Sequence, residues 1–174
     1  ANVKGINLTL KKKMHLLVSG PNGIGKSTFL EELASGNTER ADITPGVKVG
    51  YYRQDFSTLD FDRTGFEALE EVMEQGTRED IYRIAGNFLI SAELLNNKVA
   101  SFSEGQKGLL LFARLVIERP QLLILDEPTT GVDPLARAQF WDLIERIRAD
   151  RPGMSVIVAT AYMDEAQRFD WLAA

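Results

Sequence analysis

The sequence predicts an α/β fold, a mostly parallel sheet flanked by helices, with a helical insertion. Two observations predict it. Short apolar runs of strand length alternate with longer stretches whose apolar residues recur every three or four positions. Between about residues 64 and 100 that alternation is interrupted by two helical patterns in succession.

Each element follows from its own pattern. MHLLVSG (14–20) is an apolar run ending in glycine and reads as a buried strand. A glycine-rich turn leads into STFLEELAS at helical spacing, and VKVGYYRQ (47–54) reads as a second strand. TGFEALEEVMEQ and REDIYRIAGNFLI read as two helices. Six acidic residues on them, Glu67, Glu70, Glu71, Glu74, Glu79 and Asp80, read as a solvated surface. SEGQKGLLLFARLVIE starts on a serine cap and continues as a helix with an apolar middle. QLLILD (121–126) is a buried strand. Asp133-Pro134 suits a helix start, and the helix that follows should bury Phe140, Ile144 and Ile147. SVIVAT (155–160) is a last strand, with a short helix from Met163. The chain reads as one domain over 1–174. Its α/β core takes about 1–60 and 101–174, and its helical part about 61–118, overlapping at the helix from Ser103.

Composition bounds the function. With 174 residues, 44% hydrophobic and 26% charged, the chain is an ordinary globular protein. Twenty basic against 25 acidic residues give a net charge of -5, which argues against an electrostatic nucleic-acid binder. No cysteine and one histidine, His15, exclude thiolate and multi-histidine metal centres. No apolar run approaches the roughly 18–20 residues of a membrane span, and the start does not resemble a signal peptide. The expectation is a cytoplasmic protein that reaches any membrane by docking on another chain.

In α/β sheets ligands sit at the carboxyl ends of the strands, so the turns after residues 19, 126 and 160 are the candidates. GPNGIGKS (20–27) follows a strand, opens a helix and fits G-x-x-x-x-G-K-[ST], the phosphate loop of a P-loop NTPase. Gly20, Asn22, Gly23, Ile24 and Gly25 present backbone N–H groups around phosphates, and Pro21, which has no N–H, completes the binding loop. The helix that starts near Lys26 adds its positive end. Lys26 reaches the β- and γ-phosphates, Ser27 is a ligand for Mg²⁺, and Thr28 lies near the α-phosphate. LLILDEP (122–128) ends a buried strand on two carboxylates. Asp126 would hold Mg²⁺, and Glu127 would orient and deprotonate the attacking water.

SFSEGQ (101–106) opens a helix 20 residues before the acidic strand and resembles the signature sequence of ABC ATPases. With the phosphate loop and acidic strand, the chain resembles an ABC nucleotide-binding domain over nearly its whole length. The resemblance implies MgATP binding and hydrolysis in a head-to-tail dimer, each ATP held by one chain's phosphate loop and the other's signature. Gln54 matches the Q-loop glutamine, which touches Mg²⁺ and senses a partner domain. Ser103, Gly105 and Gln106 match the signature that meets ATP, and TTGVD (129–133) matches the D-loop ending in Asp133. The partner implied is a second ABC domain, together with a ribosome or a transmembrane transporter subunit.

Departures from the family pattern accompany the match. Ala161 stands where a histidine normally meets the γ-phosphate, which implies weakened hydrolysis with binding largely retained. His15 does not replace it, lying roughly 15 Å from Gly20 at about 3.3 Å per residue. Glu104 replaces a signature glycine and is expected to face solvent, and Phe102 replaces a leucine. The family's adenine-stacking aromatic has no counterpart before Phe29. The chain stops at DWLAA, where a further strand belongs, so an open sheet edge is expected. The part through about residue 128 resembles the ribosome-acting F subfamily. The remainder resembles the bacterial ribosome-associated ATPase and drug-export ATPases. That mosaic suggests a chimera joined near residues 126–130. The alternatives to an ATPase are therefore an ATP-gated dimerisation module with little hydrolysis, or an engineered chimera with no physiological role.

Overall fold

The computed structural model describes residues 9–36, 39, 41–53, 55–130, 134–162 and 169–173. Its sheet contains β1 (His15–Ser19), β2 (Val49–Arg53), β3 (Leu122–Asp126), β4 (Ser155–Thr160) and β5 (Trp171–Ala173). The spatial order is β2-β3-β4-β1-β5, and every pairing is parallel. The helices are α1 (Lys26–Ser35), α2 (Gly65–Glu70), α3 (Arg78–Asn87), α4 (Ala92–Leu95), α5 (Glu104–Glu118) and α6 (Pro134–Asp150), with a 3₁₀ turn at Val99–Ser101.

The middles of β1, β3 and β4 are apolar because both faces of the sheet are covered there, while β2 (VGYYR) alternates buried and half-buried residues. Alternation still sorts their side chains. Leu122, Ile124, Ile157 and Leu16 pack with Leu30 and Leu33 of α1 on one face. Leu123, Leu125, Val156, Val158 and Leu17 join a larger core with α5, α6 and the helical part on the other. On that side a run of four rings links three elements. Tyr52 stacks on Phe112 at 4.5 Å, Phe112 meets Phe140 at 4.8 Å, and Phe140 meets Trp141 at 5.0 Å. Ile144 of α6 is buried as expected, while Phe140 and Ile147 are only half-buried; Trp141, at 2% exposure, supplies the larger anchor.

The helical part starts and stops where its polar residues dictate. Thr64 and Thr77 each cap a helix through a reciprocal box with Glu67 and Asp80. The first helix is shorter than its sequence pattern suggests. It ends at Glu70, and the chain turns back through Gly76 (φ 144°), packed so closely on Met73 that a β-carbon would stand 2.8 Å from its sulfur. Helix α4, capped by Ser91, and the following 3₁₀ turn were not expected. Each is too short to show a period.

At DWLAA the chain does form a short strand: Trp171–Ala173 is β5, which pairs with β1 and is the edge strand on that side. Asp170 sets that register, since its carboxylate accepts the His15 N–H at 3.0 Å and its own N–H reaches the His15 carbonyl. His15 is buried at the strand start as expected, and burial beside Arg148 lowers its pKa. Gln54, Asp133 and the helix expected from Met163 lie outside the described residues. Among the described residues, no helix is long and apolar enough to cross a membrane.

Candidate nucleotide site

The turns after β1, β3 and β4 meet at one end of the sheet. After Ser19 the chain makes its loop through Gly23 (φ 84°) and Gly25 (φ 100°), and a side chain at either would be strained. Gly25 caps α1 without any side chain, so the first helical N–H groups have no side-chain partner there. Pro21, Asn22, Gly23, Ile24, Gly25, Ser27 and Thr28 are exposed, and Gly20 is half-buried. Lys26 is the exception, 8% exposed. Its ammonium donates to the carbonyls of Gly20 at 2.7 Å and Pro21 at 3.2 Å, and lies 3.4 Å from a Glu127 carboxylate oxygen. The charge expected to meet phosphates is thus folded over the loop's own carbonyls.

The acidic pair splits in two directions, as a strand-end bend allows. Asp126 accepts a hydrogen bond from the Ser27 hydroxyl on Oδ1 at 3.0 Å and a longer one from the Tyr51 hydroxyl on Oδ2 at 3.4 Å. Burial raises the Asp126 pKa, and the Ser27 bond partly offsets that. Burial, with the charge of Asp126, pushes Tyr51 up to about 12, so its hydroxyl remains a donor at neutral pH. Glu127 turns away through a left-handed backbone (φ 48°), with its N–H donating to the Ala159 carbonyl at 2.9 Å. Its Oε2 accepts from the Thr130 hydroxyl at 2.8 Å.

Ser103 and Gln106 form a capping box at the start of α5. The Gln106 N–H donates to the Ser103 hydroxyl at 3.2 Å, and the Gln106 side-chain oxygen accepts the Ser103 N–H at 2.8 Å. Gly105 and Glu104 are exposed beside them, Glu104 as expected. A cleft of about 1150 Å³ is lined both by Ser27, Asp126 and Glu127 and by Glu104 and Gly105. Ala161 is exposed at the bend after β4. Next to it, Tyr162 donates its N–H to the Thr160 hydroxyl and lies under the Arg137 guanidinium at 3.9 Å.

Two contacts were absent from the sequence reading. Tyr51 stands two residues before Arg53, the register partner of Asp126, so it occupies the diagonal position across β2 and β3. Thr130 lies three residues after Glu127, where a tight turn returns the chain. The three-residue spacing is a local signal for Thr130, whereas Tyr51 is found only through the β2–β3 pairing.

The residues fit a magnesium nucleotide. A hydroxyl and a carboxylate 3.0 Å apart are two hard oxygen ligands. No cluster of three or more His, Cys, Asp or Glu able to hold a metal occurs among the described residues, which suits an ion that keeps waters and takes further ligands from substrate phosphates. The parallel sheet, the loop after β1 and the acids after β3 define a P-loop nucleoside triphosphatase. The chain belongs to the ABC transporter family, whose model matches residues 3–130.

Relatives place it further. The zinc import ATP-binding protein ZnuC of Ruegeria pomeroyi is 37% identical over 152 residues, 82% of this chain and 56% of that protein. The Nod factor export ATP-binding protein I of Rhizobium johnstonii is 38% identical over 168 residues, 86% of this chain and 53% of that protein. The chain therefore spans about half the length of these relatives. The dimeric structure of MJ0796, a bacterial ABC transporter cassette, superposes with a TM-score of 0.78 over 97% of this chain and 84% of that one. At 20% identity the likeness speaks for the fold.

Proposed function

We propose that this chain binds MgATP at its phosphate loop and hydrolyses it, as a single ABC cassette with residues 61–118 as its helical part. The observation that carries the reading is the convergence of Lys26, Ser27, Asp126 and Glu127 within hydrogen-bond or ion-pair distance. Mg²⁺ would be held by Ser27 and Asp126, and by Gln54 as the family resemblance implies, and would supply positive charge to the phosphates. Lys26 leaves the carbonyls of Gly20 and Pro21 for the stronger acceptor that a phosphate offers. Glu127 takes a proton from water on a carboxylate oxygen. Ser103, Gly105 and Gln106, at the exposed start of α5, meet the nucleotide of a second ABC domain in a head-to-tail pair. The dimeric MJ0796 cassette, similar in fold, supports that arrangement.

The larger assembly is a membrane transporter, with this chain on the cytoplasmic side. The names of the relatives, a zinc importer and a Nod factor exporter, support that partner over the ribosome. The F-subfamily accent of the first part and the join near 126–130 rest on sequence flavour alone, and the 168-residue match to the exporter extends past that position. A second reading, binding with little hydrolysis, is favoured by Ala161, which offers no side-chain donor after β4.

ATP turnover by the purified chain with Mg²⁺, beside Lys26→Ala and Glu127→Gln, tests the proposal. Turnover lost in both variants supports hydrolysis at this site. No turnover, with nucleotide still bound in a titration that Lys26→Ala weakens, supports the second reading. Binding unchanged by Lys26→Ala would sink both.

A further inference from the structure

Glu127 combines three features. Its backbone is left-handed (φ 48°), a conformation uncommon for a residue with a β-carbon. Its two carboxylate oxygens have different partners: Oε1 lies 3.4 Å from the Lys26 ammonium, and Oε2 accepts from the Thr130 hydroxyl at 2.8 Å. The Thr130 N–H also donates to the Glu127 carbonyl at 3.2 Å, so the turn that carries the hydroxyl is anchored on the residue it serves.

We propose that Thr130 is a positioning residue for hydrolysis, whose hydroxyl holds Oε2 of Glu127 so that Oε1 alone is presented to the attacking water. The inference rests on the hydrolytic reading of Glu127. The two tethers on the carboxylate differ in what they survive. The Lys26 contact competes with any phosphate for the same ammonium, so it weakens once nucleotide is bound. The Thr130 bond involves no group that the nucleotide claims, and it persists. A carboxylate with one oxygen fixed cannot rotate freely. The water proton then passes to Oε1 while Oε2 keeps its hydrogen bond, the water oxygen bonds to the γ-phosphorus as the bond to the bridging oxygen breaks, and ADP leaves as the anion. A bond from a hydroxyl to a charged acceptor is strong enough to matter to rate.

The test compares Thr130→Val, which keeps the shape and removes the donor, with Thr130→Ser, which restores it. Valine is expected to lower kcat about tenfold, with KM for ATP and ADP affinity within about twofold. Serine is expected to return kcat to within about threefold of the parent. In a Glu127→Gln background the valine change is expected to have no further effect on residual turnover, because its action passes through the carboxylate. A fall in kcat and nucleotide affinity together, a serine variant as slow as valine, or a full additional loss in the Glu127→Gln background would overturn the inference. Crystal structures of the parent and Thr130→Val supply a readout independent of turnover. The Glu127 carboxylate is expected to leave its place in the variant, and an unmoved carboxylate counts against Thr130. A parent without turnover counts against the hydrolytic reading, and the crystal structures then decide the tether on their own.

Discussion

At Asp126 and Glu127 two neighbouring carboxylates meet different surroundings. Asp126 is held by hydroxyls from α1 and β2, while the left-handed backbone of Glu127 swings its side chain toward Lys26. The difference predicts different variants. Ser27→Ala removes a hydroxyl ligand and the bond to Asp126, so the Mg²⁺ concentration for half-maximal turnover should rise by about tenfold, read from a metal titration. Tyr51→Phe removes only the 3.4 Å contact and should shift that midpoint by less than about threefold. The loop and the acid pair were legible because they come at fixed spacing within one segment. The partners of the acids were not, because Tyr51 reaches Asp126 across a strand pairing and Thr130 reaches Glu127 through a turn.

At the scale of elements, the helical part depends on its caps. Thr77→Ala should lower stability by about 1 kcal/mol, measured by urea unfolding. The same cap is sensitive to acid. Bonds from Arg83 and Thr77 hold Asp80 down to about 2. A depressed carboxylate gives its full contribution above its unfolded pKa and loses it as pH falls through the folded one. The first turn of α3 should therefore stay protected near pH 4 and open as pH drops toward 2, followed by amide exchange. Gly65 is a packing site, since a β-carbon there would stand 2.8 Å from a Phe102 ring carbon. Gly65→Ala should cost about 1–3 kcal/mol and disturb the residue that precedes the Ser103 cap. Long periodic helices such as α5 were readable from sequence. Helix α4 was not, because four residues give no period and only the Ser91 cap marks it.

For the molecule as a whole, burial on both faces of the sheet explains why the runs of β1, β3 and β4 were unbroken and easy to find. Leu125, fully buried in the larger core, illustrates the scale: Leu125→Ala should cost about 2–5 kcal/mol in a denaturant melt. Strand order was less legible, because apolar runs do not say which neighbour they pair with. The order is what places the chemistry. β4 lies between β1, which leads into the phosphate loop, and β3, which ends in the acids. Neighbouring strands stand about 4.8 Å apart, so the strands that deliver the two turns are separated by about 10 Å. They form a caliper whose jaws are set by backbone spacing. Mutation can change what each jaw carries but not the width of the opening, so any adaptation to a new binding partner has to be made elsewhere on the surface.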